Sequence, residues 1–332
     1  MTAPHIDILT AGCMVADLLA YPVNAFPARG KLGHVERVGA HLGGSSANTG
    51  AHLARLGYRV AIAAAVGDDL LGRVVAGLAA EAGLDTRWLV HKPGSNSAAT
   101  MVMVAEDAER SFLQATGAQG LLCAADIPLA AARAAGARVF HLAGYFALPA
   151  LEGNDGSPAV ALLREASERG FLTVLDGVWD AHARWRRVIS PLLPWVDIYT
   201  PSRDEAAHIV GETAPGRQIE QLFALGVRQV VAVTDGANGA WIGDRSGLRY
   251  HLPPARVATV DTTGAGDAFV AGLLAGLLGG AQLADAGRLA SACGGLATTV
   301  FGGGQGFNTR AEADALATTI VPAAFAAGLE PP

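Results

Sequence analysis

Nine consecutive residues near the carboxy-terminal end, Asp261-Thr262-Thr263-Gly264-Ala265-Gly266-Asp267-Ala268-Phe269, run directly into the apolar stretch Val270 to Leu278. Small residues just before a helix leave its first backbone N–H groups uncovered, and those groups together with the helix dipole form a pocket for an anion. Gly264, Ala265 and Gly266 are so placed. Asp267 stands where the anion would dock, so beside a phosphate it can take a proton from an attacking hydroxyl. Read this way the segment performs phosphoryl transfer; read plainly, it is a glycine-rich turn with an acid complementing a helix dipole. It is not a Walker loop, because no G-x-x-x-x-G-K-[ST] occurs. A nicotinamide dehydrogenase needs G-x-G-x-x-G after its first strand, where Cys13-Met14-Val15-Ala16-Asp17 stands instead.

A second glycine cluster, Gly43-Gly44-Ser45-Ser46-Ala47-Asn48-Thr49-Gly50, also opens a helix. Paired glycines let backbone approach a ligand closely, and Asn48 offers both a donor and an acceptor, which suits a polyol. Ser45 or Ser46 can also cap the helix.

The elements that must position these clusters follow a regular rhythm. Short β-type runs at His5 to Leu9, Arg59 to Ala64, Val139 to Leu142, Leu172 to Leu175, Ile198 to Tyr199 and Gln229 to Val233 alternate with helix-period segments at Ser46 to Leu56, Gly72 to Ala82, Ser157 to Arg169 and Asp204 to Val210. This predicts an α/β fold with a mostly parallel, doubly wound sheet buried on both faces. Leu19 to Val38 and Ser97 to Phe112 break the rhythm with alternating polarity and turn formers, which predicts antiparallel strands pairing into a small lid. Ala240 to Leu252, with Asp244-Arg245-Ser246-Gly247 at its centre, reads as a hairpin, and the Pro-Pro end as a fraying terminus.

The 332 residues suggest about two domains, or one large sheet domain with an appendage. Hydrophobic residues make up 51% and charged ones 16%, enough for a large core and too apolar for a disordered chain. The net charge of −6, with no basic run, argues against nucleic acid as a partner. Cys13, Cys123 and Cys293 are far apart and form no Cys-x-x-Cys pair, so neither a disulfide framework nor a zinc site is expected. No signal-like leader and no membrane-spanning run is expected, which places the protein in the cytoplasm without a membrane partner.

On both glycine clusters, the sequence resembles the ribokinase-like carbohydrate kinases, also called the phosphofructokinase-B family. Supporting matches are Val66-Gly67-Asp68-Asp69 with Gly72, Glu109-Arg110-Ser111-Phe112, Pro201-Ser202-Arg203-Asp204-Glu205-Ala206 and Val233-Thr234-Asp235-Gly236-Ala237-Asn238-Gly239. The resemblance implies a single ribokinase-like kinase domain over residues 1–332, three-layered, with lid strands from about 19–38 and 97–112.

In such kinases a sugar or nucleoside hydroxyl attacks the γ-phosphate of ATP in line, and the aspartate of the glycine-rich signature is the base. Asp267 takes that role, and the amides of Gly264, Ala265 and Gly266 stabilise the transferring group. Asp17 matches the acceptor-binding aspartate, alongside Gly43, Gly44 and Asn48, and its carboxylate suits two vicinal hydroxyls. Phe112 and Tyr145 are expected as apolar walls. Thr234 and Gly236 match the nucleotide loop, with Asp235 at a position the family varies. Glu205 matches an acid near Mg2+, reached through water, while Ser202 stands where the family has the asparagine of Asn-x-x-Glu. Asp261 and Thr263, with carbonyls of the Val300 to Gly304 loop, match a place for K+; Asp261 alternatively caps its turn.

The implied cofactors are thus ATP and Mg2+, with K+ as a further candidate. Arg29, Lys31, Arg37 and Arg110 form no tight cluster for a phosphorylated acceptor, which favours an unphosphorylated sugar. A nucleoside that stacks on Phe112 and Tyr145 is the alternative, and a non-catalytic sensor of the same fold is the rival from another class. An apolar outer lid face would support a homodimer.

Overall fold

Val230-Val231-Ala232-Val233, apolar without interruption, is buried throughout, as a strand covered on both faces must be. The computed structural model describes residues 5–106, 109–304, 306–307 and 309–326; the Pro-Pro end lies outside them. In chain order the strands are β1 (Ile8–Gly12), β2 (Val15–Tyr21), β3 (Arg37–Gly43), β4 (Val60–Ala63), β5 (Ala65–Gly67), β6 (Val90–Lys92), β7 (Ala99–Val104), β8 (Arg110–Ala115), β9 (Val139–Tyr145), β10 (Leu172–Gly177), β11 (Ile198–Tyr199), β12 (Val230–Thr234), β13 (Ala240–Asp244), β14 (Arg249–Leu252) and β15 (Ala323–Ala324). The helices are α1 (Ser45–Arg55), α2 (Leu70–Glu81), α3 (Leu129–Ala134), α4 (Pro149–Glu152), α5 (Ser157–Glu168), α6 (Trp185–Ile189), α7 (Arg203–Val210), α8 (Pro215–Ala224), α9 (Ala265–Leu278), α10 (Leu283–Ala297) and α11 (Arg310–Ala317).

Among the described residues the large sheet has the order β15-β14-β13-β12-β11-β10-β9-β1-β4. It is parallel from β12 to β4 and antiparallel at β13, β14 and β15. Alternate residues feed two cores. Leu9, Phe140, Leu142, Leu175 and Val231 pack under α3, α5, α7 and α8, whereas Ile8, Ile62, Val139, Val174 and Ala232 pack under α1, α2, α9 and α10. The chain proceeds from β1 to β4 on one side and then returns to β9 on the other, so strand order reverses at β1. The crevice beyond the carboxyl ends of strands at such a reversal is where α/β sheets bind ligands. The expected hairpin is β13–β14, its turn held by Asp244 Oδ1, which accepts the amides of Ser246 at 2.9 Å and Leu248 at 3.1 Å.

The lid is a four-stranded sheet in the order β3-β2-β7-β8. Its strands differ from the expected ranges. Alternation continues upstream to Val15 and downstream to Gly43, while residues 22–36, with Pro22, Pro27, Gly30 and Gly33, form the connecting loop. The pairing differs too: β2 and β7 run parallel, in register Asp17 with Thr100, because two separate hairpins rise side by side from the body. One face of this sheet carries Asp17, Leu19, Thr100, Val102 and Phe112; the other carries Leu18, Val38, Met101 and Leu113.

The Val66-Gly67-Asp68-Asp69 motif secures the lid's root. Asp69 caps α2 by accepting the Gly72 amide at 2.7 Å, and it also accepts the Ser97 amide at 2.8 Å and hydroxyl at 2.6 Å. The Ser97 hydroxyl oxygen in turn accepts the Gly67 amide at 2.9 Å.

Candidate active site

Helix α9 begins at Gly264, whose φ of 73° lies in the left-handed region and whose helix has no side-chain cap. A Cβ there would stand 2.2 Å from the Gly303 carbonyl oxygen, so both conformation and space demand glycine. Ala265 donates to the Thr262 carbonyl at 3.3 Å, which occupies one of the three amides expected in the anion pocket. The N–H groups of Gly266 and Asp267, in the first turn, have no acceptor within the helix. Gly266 is exposed, and no heavy atom lies within 4 Å of where its Cβ would be. The free surface of this helix start is therefore Gly266 and Asp267 with the Gly264 turn behind them.

Asp267 is only partly exposed. Its Oδ2 accepts from Asn48 Nδ2 at 2.8 Å, and its backbone carbonyl accepts from Thr49 Oγ1 at 3.3 Å. Thus α1 grips α9, joining residues 219 positions apart at the reacting carboxylate. Burial pushes the Asp267 pKa up to about 8; the Asp176 charge adds to the rise, and hydrogen bonds from Asn48 and Ser45 oppose it. Asn48 Oδ1 is buried without a partner, 3.3 Å from where a Cβ on Gly304 would stand. Along the same helix, His52 Nε2 lies 3.0 Å from the Gly303 carbonyl and Arg55 Nη1 donates to Gly304 at 2.5 Å. One helix therefore holds both the base and the loop against which Gly264 turns.

Asp17 lies on lid strand β2, which directly follows β1. A Cβ on Gly43 would fall 2.0 Å from Asp17 Oδ2, which is why the amino-terminal signature has glycine there. Gly44, with φ 89°, caps α1 from beneath. Burial raises the Asp17 pKa to about 6, against the lowering by its Thr100 hydrogen bond, and the Asp261 charge adds to the rise. Phe112 is on the same lid face and 54% exposed, with the Arg110 guanidinium 5.8 Å from its ring centre.

Tyr145 is not a wall of this site. Its side chain is fully buried in the core under α5 and α6, with its ring centroid 5.2 Å from that of Phe146. Its hydroxyl oxygen lies 3.4 Å from the Cβ position of Gly156.

Ser202 and Glu205 form a capping box on α7. Glu205 N donates to Ser202 Oγ at 3.3 Å and Ser202 N donates to Glu205 Oε2 at 2.8 Å. This local role was visible as Ser-x-x-Glu. Burial raises the Glu205 pKa, and its Oε1 remains for a water. Thr234 N donates to the Pro201 carbonyl at 3.0 Å, which brings the end of β12 beside the capping box. Gly236, with φ 48°, has open space around it, while Asp235 is tied to Arg203 at 3.0 Å and Asn238 at 3.1 Å. Asp261 and Thr263, the expected potassium ligands, are both engaged by Arg110 from the lid.

Asp176 was missed. It is the penultimate residue of β10, at the register shift against β9 between Leu175 and Gly177, where its Oδ1 accepts the Gly144 amide at 2.7 Å and its Oδ2 lies 3.3 Å from His141 Nε2. An acid closing an otherwise apolar parallel strand, at the sheet's ligand-binding edge, was the available signal.

The lid, the glycine-started helix and the half-buried carboxylate define a kinase of the ribokinase-like fold. The sequence matches the pfkB family carbohydrate kinase over residues 7–310, and the chain belongs to that family. Similar proteins include the fructokinase of Vibrio alginolyticus, 28% identical over 81% of this chain and 89% of that one. The aminoimidazole riboside kinase of Salmonella typhimurium is 31% identical over 78% and 82%. Among solved structures, the ribokinase of Arabidopsis thaliana complexed with ribose and ATP superposes with a TM-score of 0.77 at 23% identity, covering 94% of this chain and 99% of that one. The chain is thus a sugar or nucleoside kinase, a phosphotransferase with an alcohol acceptor.

Proposed function

We propose that the protein transfers the γ-phosphate of ATP to a hydroxyl of a small unphosphorylated sugar. The observation that carries this reading is the Asn48 to Asp267 hydrogen bond at the open start of α9, which joins the acceptor and phosphate signatures at one carboxylate. Asp17 accepts hydroxyls of the acceptor and orients it. Asp267 takes the proton of the attacking hydroxyl, and the amides of Gly266 and Asp267 face the charge on the transferring group. Thr234 and Gly236 border the nucleotide. The free Glu205 oxygen suits a water on Mg2+, which supplies neutralisation of phosphate charge when bound.

An unphosphorylated acceptor is favoured because two of the four lid cations, Arg37 and Arg110, are engaged elsewhere. Arg37 lies over the rings of Tyr21 and Phe301, at 4.9 and 5.1 Å, and Arg110 is bound to the Asp261 turn. A riboside acceptor is the second reading, favoured by the exposed Phe112 ring and by the similarity to the aminoimidazole riboside kinase. ADP release measured with pentoses, hexoses, keto-deoxy acids and nucleosides tests both. Fastest turnover on a free sugar is expected, turnover on nucleosides alone selects the second reading, and none with any acceptor leaves the sensor.

A further inference from the structure

The turn that the family resemblance marks for potassium already holds a positive charge. Arg110, on β8, donates through Nη1 to Asp261 Oδ1 and Thr263 Oγ1, and through Nη2 to Thr262 Oγ1 at 2.9 Å. The Asp261 carboxylate, almost fully buried, also accepts the Thr263 amide at 2.8 Å on Oδ1 and the Gly302 amide at 3.1 Å on Oδ2. Three of its roughly four lone-pair positions are therefore taken. A metal ion added beside the guanidinium would place two unit positive charges about 4 Å apart, where they repel each other strongly. With the lid in this position the side chains do not fit a monovalent metal ion.

Arg110 is otherwise unexplained by acceptor recognition, because all three of these contacts go to one turn. That turn leads directly into Gly264. We propose that Arg110 is a positioning residue that acts as the protein's own cation at the Asp261 to Thr263 turn, bracing the anion-binding loop when the lid is down and replacing a monovalent metal ion. Since the charge rides on a lid strand two residues from Phe112, closure over the acceptor and completion of the phosphate pocket become one event. The role in turnover rests on the kinase reading; the cation site itself does not.

The test compares wild type, Arg110→Ala and Arg110→Lys in potassium chloride and in tetramethylammonium chloride at equal ionic strength, following both ADP release and Tm. Wild type is expected to show the same turnover and the same Tm in both salts. Arg110→Ala should lose about tenfold or more in kcat in tetramethylammonium. Potassium, or millimolar guanidinium, should restore part of that loss, and potassium alone should raise its Tm. Arg110→Lys, which keeps a charge but not the fork, should fall between them. A wild type activated or stabilised by potassium overturns the proposal, as does an Arg110→Ala enzyme of undiminished activity or one whose loss neither cation relieves. Should no acceptor be phosphorylated, the kinase reading fails, and the Tm comparison in the two salts still decides the cation question.

Discussion

At the residue scale, Asp267 must be ionised to accept a proton, yet its surroundings hold that proton until about pH 8. A base with such a pKa is a stronger acceptor than a solvated aspartate, and kcat/KM should climb with pH to a plateau above about 8. Asp267→Asn should lower kcat by roughly 10²–10⁴-fold, and a variant retaining a tenth of wild-type turnover would contradict the assignment. Stability should move the other way. A raised carboxylate pKa favours the native state fully below the unfolded value near 3.8, and that contribution is lost as pH rises to about 8. Asp267→Asn should therefore melt higher than wild type at pH 8, with the gap closing toward pH 4; a lower Tm at pH 8 would show that the charge is not held at a cost. Asp17, raised to about 6, gives a separate signature. Acceptor affinity should weaken below that pH, and Asp17→Asn should raise acceptor KM by about 10–100-fold with a smaller change in kcat, the usual value of charge-assisted hydrogen bonds. Calorimetric titration with acceptor alone separates binding from turnover.

At the element scale, two glycines in one signature serve different needs. Gly264→Ala puts a Cβ into the Gly303 carbonyl at a left-handed φ, so Tm and activity should fall together. Gly266→Ala meets no protein atom within 4 Å. It should leave Tm nearly unchanged and lower kcat, and thermal melting beside steady-state kinetics distinguishes the two; equal melting losses would mean Gly266 does not border the phosphate. The start of α9 was legible because Gly264, Ala265, Gly266 and Asp267 are adjacent in the chain. So was the alternation of strands and helices that makes a mostly parallel sheet, from runs such as Val230 to Val233. What could not be read were contacts decided by packing between distant elements. Tyr145 and its neighbour Phe146 look alike in sequence, but Tyr145 ends β9 fully buried while Phe146 follows it at a left-handed φ of 83°, a difference set by the fold and not by the residue types. The hold of Asn48 on Asp267 and of Arg110 on Asp261 depends on how α1 and the lid dock, and neither spacing nor composition encodes that.

At the scale of the whole molecule, no helix among the described residues is long and apolar enough to cross a membrane. The outer lid face carries Val38, Met101 and Leu113, which are 70%, 53% and 59% exposed. We propose that a second copy covers it, as apolar faces of this kind mark association surfaces. Wild type should then elute as a dimer in light scattering and Met101→Glu as a monomer; a monomeric wild type at tens of micromolar, about the range of a weak interface, removes the idea.

The four chain crossings between lid and body come together in pairs. Gly44, at φ 89°, presses on the Cys13 carbonyl, and Gly117, at φ 50°, presses on the backbone of Asn96 and Ser97. Neither crossing has room for a side chain, so backbone lies against backbone at both roots of the flap. A Cβ at either glycine would push the flap away from the body, leaving every group on both sides intact and unable to meet.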